Sequence, residues 1–253
     1  MKLTILGSGT GWIRLDRNAP GYLLEENGFC LVLDFGPGIL KQFLKTGKKL
    51  EDISAIFLSH FHPDHTAELI PFFFATRYNL GYFRRENFYL YAGSGFREFY
   101  QGLQKAYGRW VEPPEGLLII KELPVEKNYT FKIGPFYTKV TPVKHNPESL
   151  AIRLEARGKS LVYSGDTGYC ANIIELADNA DVLILECSNF GEVKAEHHLS
   201  PEEAGRIAEK AGVKRLIISH IYPHSDVPEL KLFVEKEFSG EVIIAKDLME
   251  IEI

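Results

Sequence analysis

The stretch His60-Phe61-His62-Pro63-Asp64-His65 packs three imidazoles and a carboxylate into six residues. Imidazole nitrogen and carboxylate oxygen together suit borderline divalent ions such as zinc, manganese or iron. The preceding residues, Ile53-Ser54-Ala55-Ile56-Phe57-Leu58-Ser59, form a short apolar run of the kind a largely buried strand requires. Pro63 cannot continue such a strand and stiffens the turn that follows. The donors are therefore expected in a tight loop where a buried strand ends, the place where functional groups of α/β proteins concentrate. A lone histidine is more often a core or surface residue, so the motif calls for further donors at other strand ends.

Three such donors follow. His145 ends the segment Tyr137–Lys144, and Asp166 follows Leu161-Val162-Tyr163-Ser164-Gly165, whose glycine permits a sharp turn. His220 follows Leu216-Ile217-Ile218-Ser219. Each alone would be an ordinary turn or core residue; their recurrence at strand ends points to a site. Seven donors (His60, His62, Asp64, His65, His145, Asp166 and His220) exceed the needs of one tetrahedral zinc and suit two metals sharing a bridge. Asp166 is the natural bridge, because a carboxylate offers two oxygens and a neutral imidazole one free nitrogen. Two metals roughly 3.5–4 Å apart can hold a hydroxide between them and clamp a phosphoryl oxygen.

Composition sets the bounds. With 253 residues, 45% hydrophobic and 25% charged, the chain is expected to form one soluble domain over residues 1–253. No apolar run approaches the roughly 18 residues that span a bilayer. Met1–Gly7 leads straight into a strand pattern with no signal-peptide h-region, so no secretory signal is expected. Cys30, Cys170 and Cys187 are odd in number and form no C-x-x-C pair, which points to a reducing, cytoplasmic setting and to buried small residues. A formal net charge of −5 argues against broad nucleic-acid binding through bulk charge. The lysines at 41, 45, 48 and 49 and the pair Arg84-Arg85 are expected on solvated faces.

Strands are expected at Leu3–Leu6, Tyr22–Glu25, Cys30–Asp34, Ile53–Ser59, Phe88–Tyr91, Tyr137–Val143, Ala151–Ala156, Ser160–Ser164, Val182–Glu186, Arg215–Ser219 and Glu241–Ile244. Helices are expected at Gly38–Thr46, Thr66–Asn79, Ser94–Tyr107, Ile173–Ala177, Pro201–Ala211 and Glu229–Glu237. The helix after Ser200 is the best signalled: Ser200 caps it, Pro201 suits its first position, Glu203 completes a capping box and Gly212 stops it. Strand-rich halves with interspersed helices predict an α/β fold of four layers, αββα, dividing near residue 145. The aromatic stretch Pro71–Tyr78, with Tyr82 and Phe83, predicts core or interface, and an exposed patch of that kind favours a homodimer.

The set His60-x-His62-x-Asp64-His65, His145, Ser164-Gly165-Asp166-Thr167 and His220 resembles the metallo-β-lactamase superfamily, in the family's order and over essentially the whole chain. Leu33-Asp34-Phe35-Gly36-Pro37-Gly38 looks like the strand and turn whose aspartate orients the metal loop. Within the superfamily the chain most resembles ribonuclease Z-like phosphodiesterases, through Gly7-Ser8-Gly9-Thr10-Gly11, Cys187-Ser188 after Glu186, and His198-Leu199-Ser200. The resemblance implies that His60, His62 and His145 bind one metal and that Asp64, His65 and His220 bind the other, with Asp166 between them. It further implies that Asp64 handles the water and that His198 assists the leaving oxygen. His198 also stands just before a helix start, whose free N–H groups favour an anion.

Transfer-RNA-processing members carry a long arm between the third-motif histidine and the bridging aspartate. Here only Asn146–Gly165 fill that gap, and the net acidity lacks a basic footprint for a large RNA. The expectation is a two-metal phosphodiesterase using a bridging hydroxide on a small phosphodiester or short RNA end. Hydrolysis of another ester (a lactone, thioester or sulfate ester) on the same site is the alternative. A di-iron redox role is disfavoured, because His62 stands where oxygen-reducing relatives carry a carboxylate. A scaffold that has lost its chemistry is disfavoured too, because all seven donors are present.

Overall fold

A strand that is apolar on both faces needs a layer on each side, and the computed structural model, which describes residues 1–78, 84, 86–192 and 195–253, supplies them. In the first sheet β1 (Lys2–Gly7), β2 (Gly21–Glu26) and β3 (Phe29–Leu33) run antiparallel, and β4 (Ile53–Leu58), β5 (Phe88–Gly93) and β6 (Leu118–Leu123) continue parallel to β3. In the second, β7 (Tyr129–Ile133), β8 (Phe136–Pro142), β9 (Leu150–Ala156) and β10 (Lys159–Tyr163) run antiparallel. There β11 (Val182–Glu186), β12 (Arg215–Ser219) and β13 (Glu241–Ile244) continue parallel to β10. β14 (Glu250–Glu252) returns to pair antiparallel with β1, giving seven strands in each sheet.

Side-chain alternation builds the layers. Ala55 and Phe57 of β4 face the second sheet and pack in one core with Leu24, Leu33, Ile152, Leu161 and Ile184. Ile56 and Leu58 point the other way, into a core shared with α1 (Ile39–Lys45), α3 (Leu69–Tyr78) and α4 (Phe96–Tyr107); α2 (Pro63–Thr66) follows β4 directly. On the far side Leu183, Leu185 and Leu216 meet α5 (Ala171–Leu176), α6 (Pro201–Ala211) and α7 (Leu230–Glu235). The αββα order expected from the sequence is the one observed. α6 starts at the capping box of Ser200 and Glu203 and stops at Gly212, as read.

Several expectations need correction. The chain passes from one sheet to the other between Leu123 and Tyr129, not near residue 145. β6, β7 and β14 were not expected; the first two are half-exposed edge strands, so few of their side chains carry an apolar signal. The helix expected over Thr66–Asn79 is broken after Thr66, where the Glu68 amide donates to Phe35 O instead of continuing the helix. Phe72 and Phe73 lie in the core, as the reading of core or interface allowed, while Phe74 is half exposed against Trp110. Arg84 is not on a solvated face: it is buried and donates to the carbonyls of Leu50, Ile53 and Glu86. Asn79, Tyr82, Phe83 and Arg85 lie outside the described residues.

The consequence for function lies at one edge. The parallel strands β3, β4, β10, β11 and β12 end together, and Asp34, His60, Asp166, Glu186 and His220 all lie within three residues after those ends or close them. Ligand sites of α/β sheets form outside such carboxyl ends. The Leu150 amide donates to Ser59 O, tying the second sheet to the loop after β4.

Candidate metal centre

Asp34 organises the loop. It is fully buried, follows β3 with φ of 57°, and accepts from the Ser59 amide and hydroxyl at 2.7 Å each. His65 Nδ1 lies 2.7 Å from Asp34 Oδ2, and the Tyr163 hydroxyl donates to the same oxygen. A carboxylate oxygen accepts, so His65 Nδ1 carries a proton and Nε2 is the nitrogen turned toward the other donors. The Ser59 hydroxyl gives its one proton to Asp34 and therefore accepts from His60 Nδ1 at 3.0 Å, which frees His60 Nε2. Ser188 repeats the device: its Oγ donates to the His220 carbonyl and accepts from His220 Nδ1 at 2.9 Å.

The exposed pair is set from outside. His145 Nδ1 donates to His197 O at 3.3 Å, and its Nε2 faces His62 Nδ1 at 3.4 Å. The Asn146 side-chain amide donates to His62 Nε2 at 3.0 Å, so in this arrangement the His62 proton sits on Nδ1, facing His145 Nε2. Such outer partners fix the orientation and tautomer of metal-ligating histidines.

All seven donors expected from the sequence converge, in two groups: His60, His62, His145 and Asp166, and Asp64, His65 and His220. Within each group one donor atom per residue lies within 4.8 Å of the others. Asp166 reaches both groups. Its Oδ2 is 3.9 Å from His60 Nε2, while its Oδ1 is 3.4 Å from both His65 Nε2 and His220 Nε2. Asp64 Oδ2 stands 3.5 Å from His220 Nε2 and 3.8 Å from His65 Nε2, and the Gly11 amide donates to it at 3.0 Å. The glycine-rich turn Gly7–Gly11 thus approaches the site closely through its backbone.

The fit to a metal can be tested on what is left unpaired. The Nε2 atoms of His60, His65 and His220 and Asp166 Oδ1 are buried without a hydrogen-bond partner. Each such group costs about 1–3 kcal/mol when left unsatisfied. Four polar atoms aimed into one space are what a cation would satisfy, displacing any proton held there. The electrostatics agree: burial, reinforced by the neighbouring His65, pushes His60 well below the usual histidine range and keeps it neutral. Against the effect of burial, His220 and His65 hold Asp166 well below the carboxylate range, and the carboxylates of Asp166 and Asp34 raise His65 well above its own. The field of the site attracts positive charge.

His198 stands beside both groups, its ring 5.2 Å from that of His145 and 6.2 Å from that of His220. Burial alone would lower it, but the 2.6 Å hydrogen bond and charge of Glu186 raise it to about 9. Glu186 also accepts from the Thr167 amide at 3.1 Å and the Ser188 amide at 3.0 Å. It thereby joins His198 to the residues that flank Asp166 and orient His220. Sequence reasoning noted Glu186 only as a strand end and gave no role to Asn146. The available signal was a carboxylate closing an otherwise apolar strand, Val182-Leu183-Ile184-Leu185-Glu186.

With fold and site described, kinship can be stated. A family model described as "Beta-lactamase superfamily domain" matches residues 31–221. The chain belongs to the beta-lactamase superfamily, in its class of metal-dependent hydrolases. Among its relatives is the "Probable metallo-hydrolase YhfI" of Bacillus subtilis, 28% identical over 249 residues, 97% of each chain. The crystal structure of that metallo-beta-lactamase fold protein superposes with a TM-score of 0.84 over 99% of both chains. A ribonuclease Z of Methanosarcina acetivorans is 28% identical over an aligned span of 305 residues, covering all of this chain and 98% of that protein. The short form of human tRNase Z shares the fold, with a TM-score of 0.81 at 22% identity over 100% of this chain and 99% of its own.

Proposed function

We propose that this metal-dependent hydrolase is a two-metal phosphodiesterase of ribonuclease Z-like type, working as a single domain. His60, His62 and His145 would hold one divalent ion, and Asp64, His65 and His220 the other. Asp166 would be shared, and its two oxygens facing two separate donor groups are the observation that carries the proposal. The nitrogen and oxygen donor set suits zinc, with manganese or iron as alternatives. Bound there, such ions supply Lewis acidity toward a phosphoryl oxygen and lower the pKa of a water.

The chain's own groups do the rest. Asp64, fixed by the Gly11 amide, is placed to accept the proton of the attacking water. As the water oxygen forms its bond to phosphorus, the bond from phosphorus to the leaving alcohol breaks and the electron pair stays on that oxygen. His198 supplies its proton from Nε2, because Glu186 occupies Nδ1.

A small phosphodiester or short RNA end fits this site better than a whole transfer RNA. The stretch between His145 and Asp166 is a turn followed by the β9–β10 hairpin, closed by Arg157-Gly158 with φ of 51° and 71°. No arm is built there, and the net charge of −5 gives no basic footprint. Self-association belongs to the proposal through the exposed Phe74, Tyr107 and Trp110, and sedimentation equilibrium tests it. So does a reducing, cytoplasmic setting, resting on the odd count of cysteines. Among the described residues no helix is long and apolar enough to cross a membrane.

The deciding experiment measures bound metal and turnover of bis-p-nitrophenyl phosphate against lactone and sulfate-ester panels. Asp64→Ala should abolish turnover and weaken one metal; His198→Ala should slow turnover with metal retained. Two metal equivalents without diester cleavage at any pH would sink the proposal.

A further inference from the structure

Both donor groups are assembled across the gap between the sheets. His60, His62, Asp64 and His65 follow β4 of the first sheet, while His145, Asp166 and His220 follow β8, β10 and β12 of the second. Close approaches span that gap: Asp166 Oδ1 is 3.4 Å from His65 Nε2, and His145 Nε2 is 3.4 Å from His62 Nδ1. Functional constellations must be held within about 0.5 Å of their working geometry. Sliding of one sheet over the other therefore disturbs both groups at once. Apolar packing between the sheets resists sliding weakly, because hydrophobic attraction has no direction.

Two tyrosines cross the same gap in opposite senses. Tyr22 stands on β2 of the first sheet, and its hydroxyl donates at 2.7 Å to Ser219 Oγ at the end of β12 in the second. Tyr163 closes β10 of the second sheet, and its hydroxyl donates to Asp34 Oδ2 just after β3 in the first. Their rings pack in the core between the sheets with centroids 4.8 Å apart. All four residues are buried, at most 3% exposed. Each bond ends on a donor loop. Ser219 precedes His220, which turns away with φ of 53°, and Asp34 holds His65 Nδ1 through the oxygen it offers Tyr163. A phenylalanine would fill either position with nearly the same apolar volume, and a buried hydrogen bond adds only about 1 kcal/mol net. What the hydroxyls add is direction.

We infer that Tyr22 and Tyr163 are positioning residues, whose reciprocal hydrogen bonds across the sheet interface hold the two halves of the metal centre in register. The inference rests on the two-metal proposal for what that register serves. Without the Tyr22 hydroxyl, Ser219 Oγ is left buried without its donor, next to His220. Without the Tyr163 hydroxyl, Asp34 loses one of its four donors and holds the His65 ring from a less fixed carboxylate. Both changes fall on the group of Asp64, His65 and His220, so that group weakens first.

Calorimetric titration of zinc into chelator-stripped protein reads the effect, with melting curves taken without and with zinc. Tyr22→Phe and Tyr163→Phe should each weaken one of two zinc ions about tenfold, the scale of a lost outer partner, and shrink the rise in melting temperature that zinc produces. Ser219→Ala removes the Tyr22 bond from its other end and should match Tyr22→Phe. Tyr100→Phe is the control: its hydroxyl donates to Val111 O, outside the site, so zinc binding should not change. Unchanged zinc affinity in the Tyr22, Tyr163 and Ser219 variants, whatever their metal-free melting temperatures, overturns the inference and leaves the two-metal proposal standing. An equal loss of zinc affinity in Tyr100→Phe overturns it too, because the effect would then be general. Fewer than two zinc ions on the unaltered protein overturn the two-metal proposal and the inference with it.

Discussion

Replacing Glu186 by glutamine isolates the group that poises His198. Glu186 is 2% exposed and accepts from His198 Nδ1, the Thr167 amide and the Ser188 amide. Glutamine keeps the shape and one accepting oxygen but removes the charge. The His198 imidazolium, raised to about 9 by that hydrogen bond and charge against the effect of burial, then returns toward its ordinary value or below. If the acid form of His198 is needed, turnover is full below its pKa and falls above it, so the basic limb of the rate profile must move to lower pH. Taking about 6.5 for the variant, the protonated fraction falls about thirtyfold at pH 8 and less than twofold at pH 6. The lost interaction is on the order of 2–3 kcal/mol, allowing for the partial exposure of His198.

The assay is turnover of a dinucleoside monophosphate from pH 5.5 to 9.5, because p-nitrophenolate leaves without a proton and would hide the effect. Any metals act on both proteins alike, so the difference between the two profiles belongs to Glu186. A uniform loss at every pH, or a basic limb that does not move, would refute the positioning role. Loss of metal from Glu186→Gln would show that Glu186 acts through Ser188 and His220 instead.

Other perturbations test the surroundings. Asp34→Asn keeps the shape of Asp34 but cannot accept from all four of its donors, so metal affinity should fall about 10–100-fold in chelator competition. Gly165→Ala puts a Cβ 2.5 Å from Ser59 Cβ at φ of 60°, and thermal denaturation should record a loss of about 1–3 kcal/mol. Arg17, through its hydrogen bond and charge, holds Asp226 below the usual carboxylate range although burial opposes it. That stability is present above the unfolded value of about 3.9 and is lost as pH falls through the lower folded value. Asp226→Asn should therefore flatten the acid side of the urea-midpoint profile. Stripping metal with a chelator should lower the melting temperature, since a metal at 100 times its Kd stabilises the fold by about 2.7 kcal/mol.

His60, Asp166 and His220 were legible because each follows a run of buried apolar residues, where a polar side chain stands out, whereas His145 follows the half-exposed end of β8. Histidine at 60 and 220 and aspartate at 166 close strands that could only be internal, which also made the two covered sheets legible. Edge strands gave no comparable signal: Tyr129-Thr130-Phe131-Lys132-Ile133 is mostly exposed, and the crossing between sheets ends just before it with no break in composition. Nor could the proton relays be read in advance. Ser59 beside Asp34 and Ser188 beside His220 acquire meaning only when folding sets each hydroxyl between an acceptor and a histidine N–H. Glu186 was hidden for the same reason, since its three donors lie up to 19 residues away. The short Asn146–Gly165 gap is the case where sequence and structure constrain function jointly. Counting residues excludes an arm, and the β9–β10 hairpin accounts for those that remain. Under the phosphodiesterase proposal, a substrate without an arm to grip it must then be held close to the scissile bond, by residues that border the seven donors.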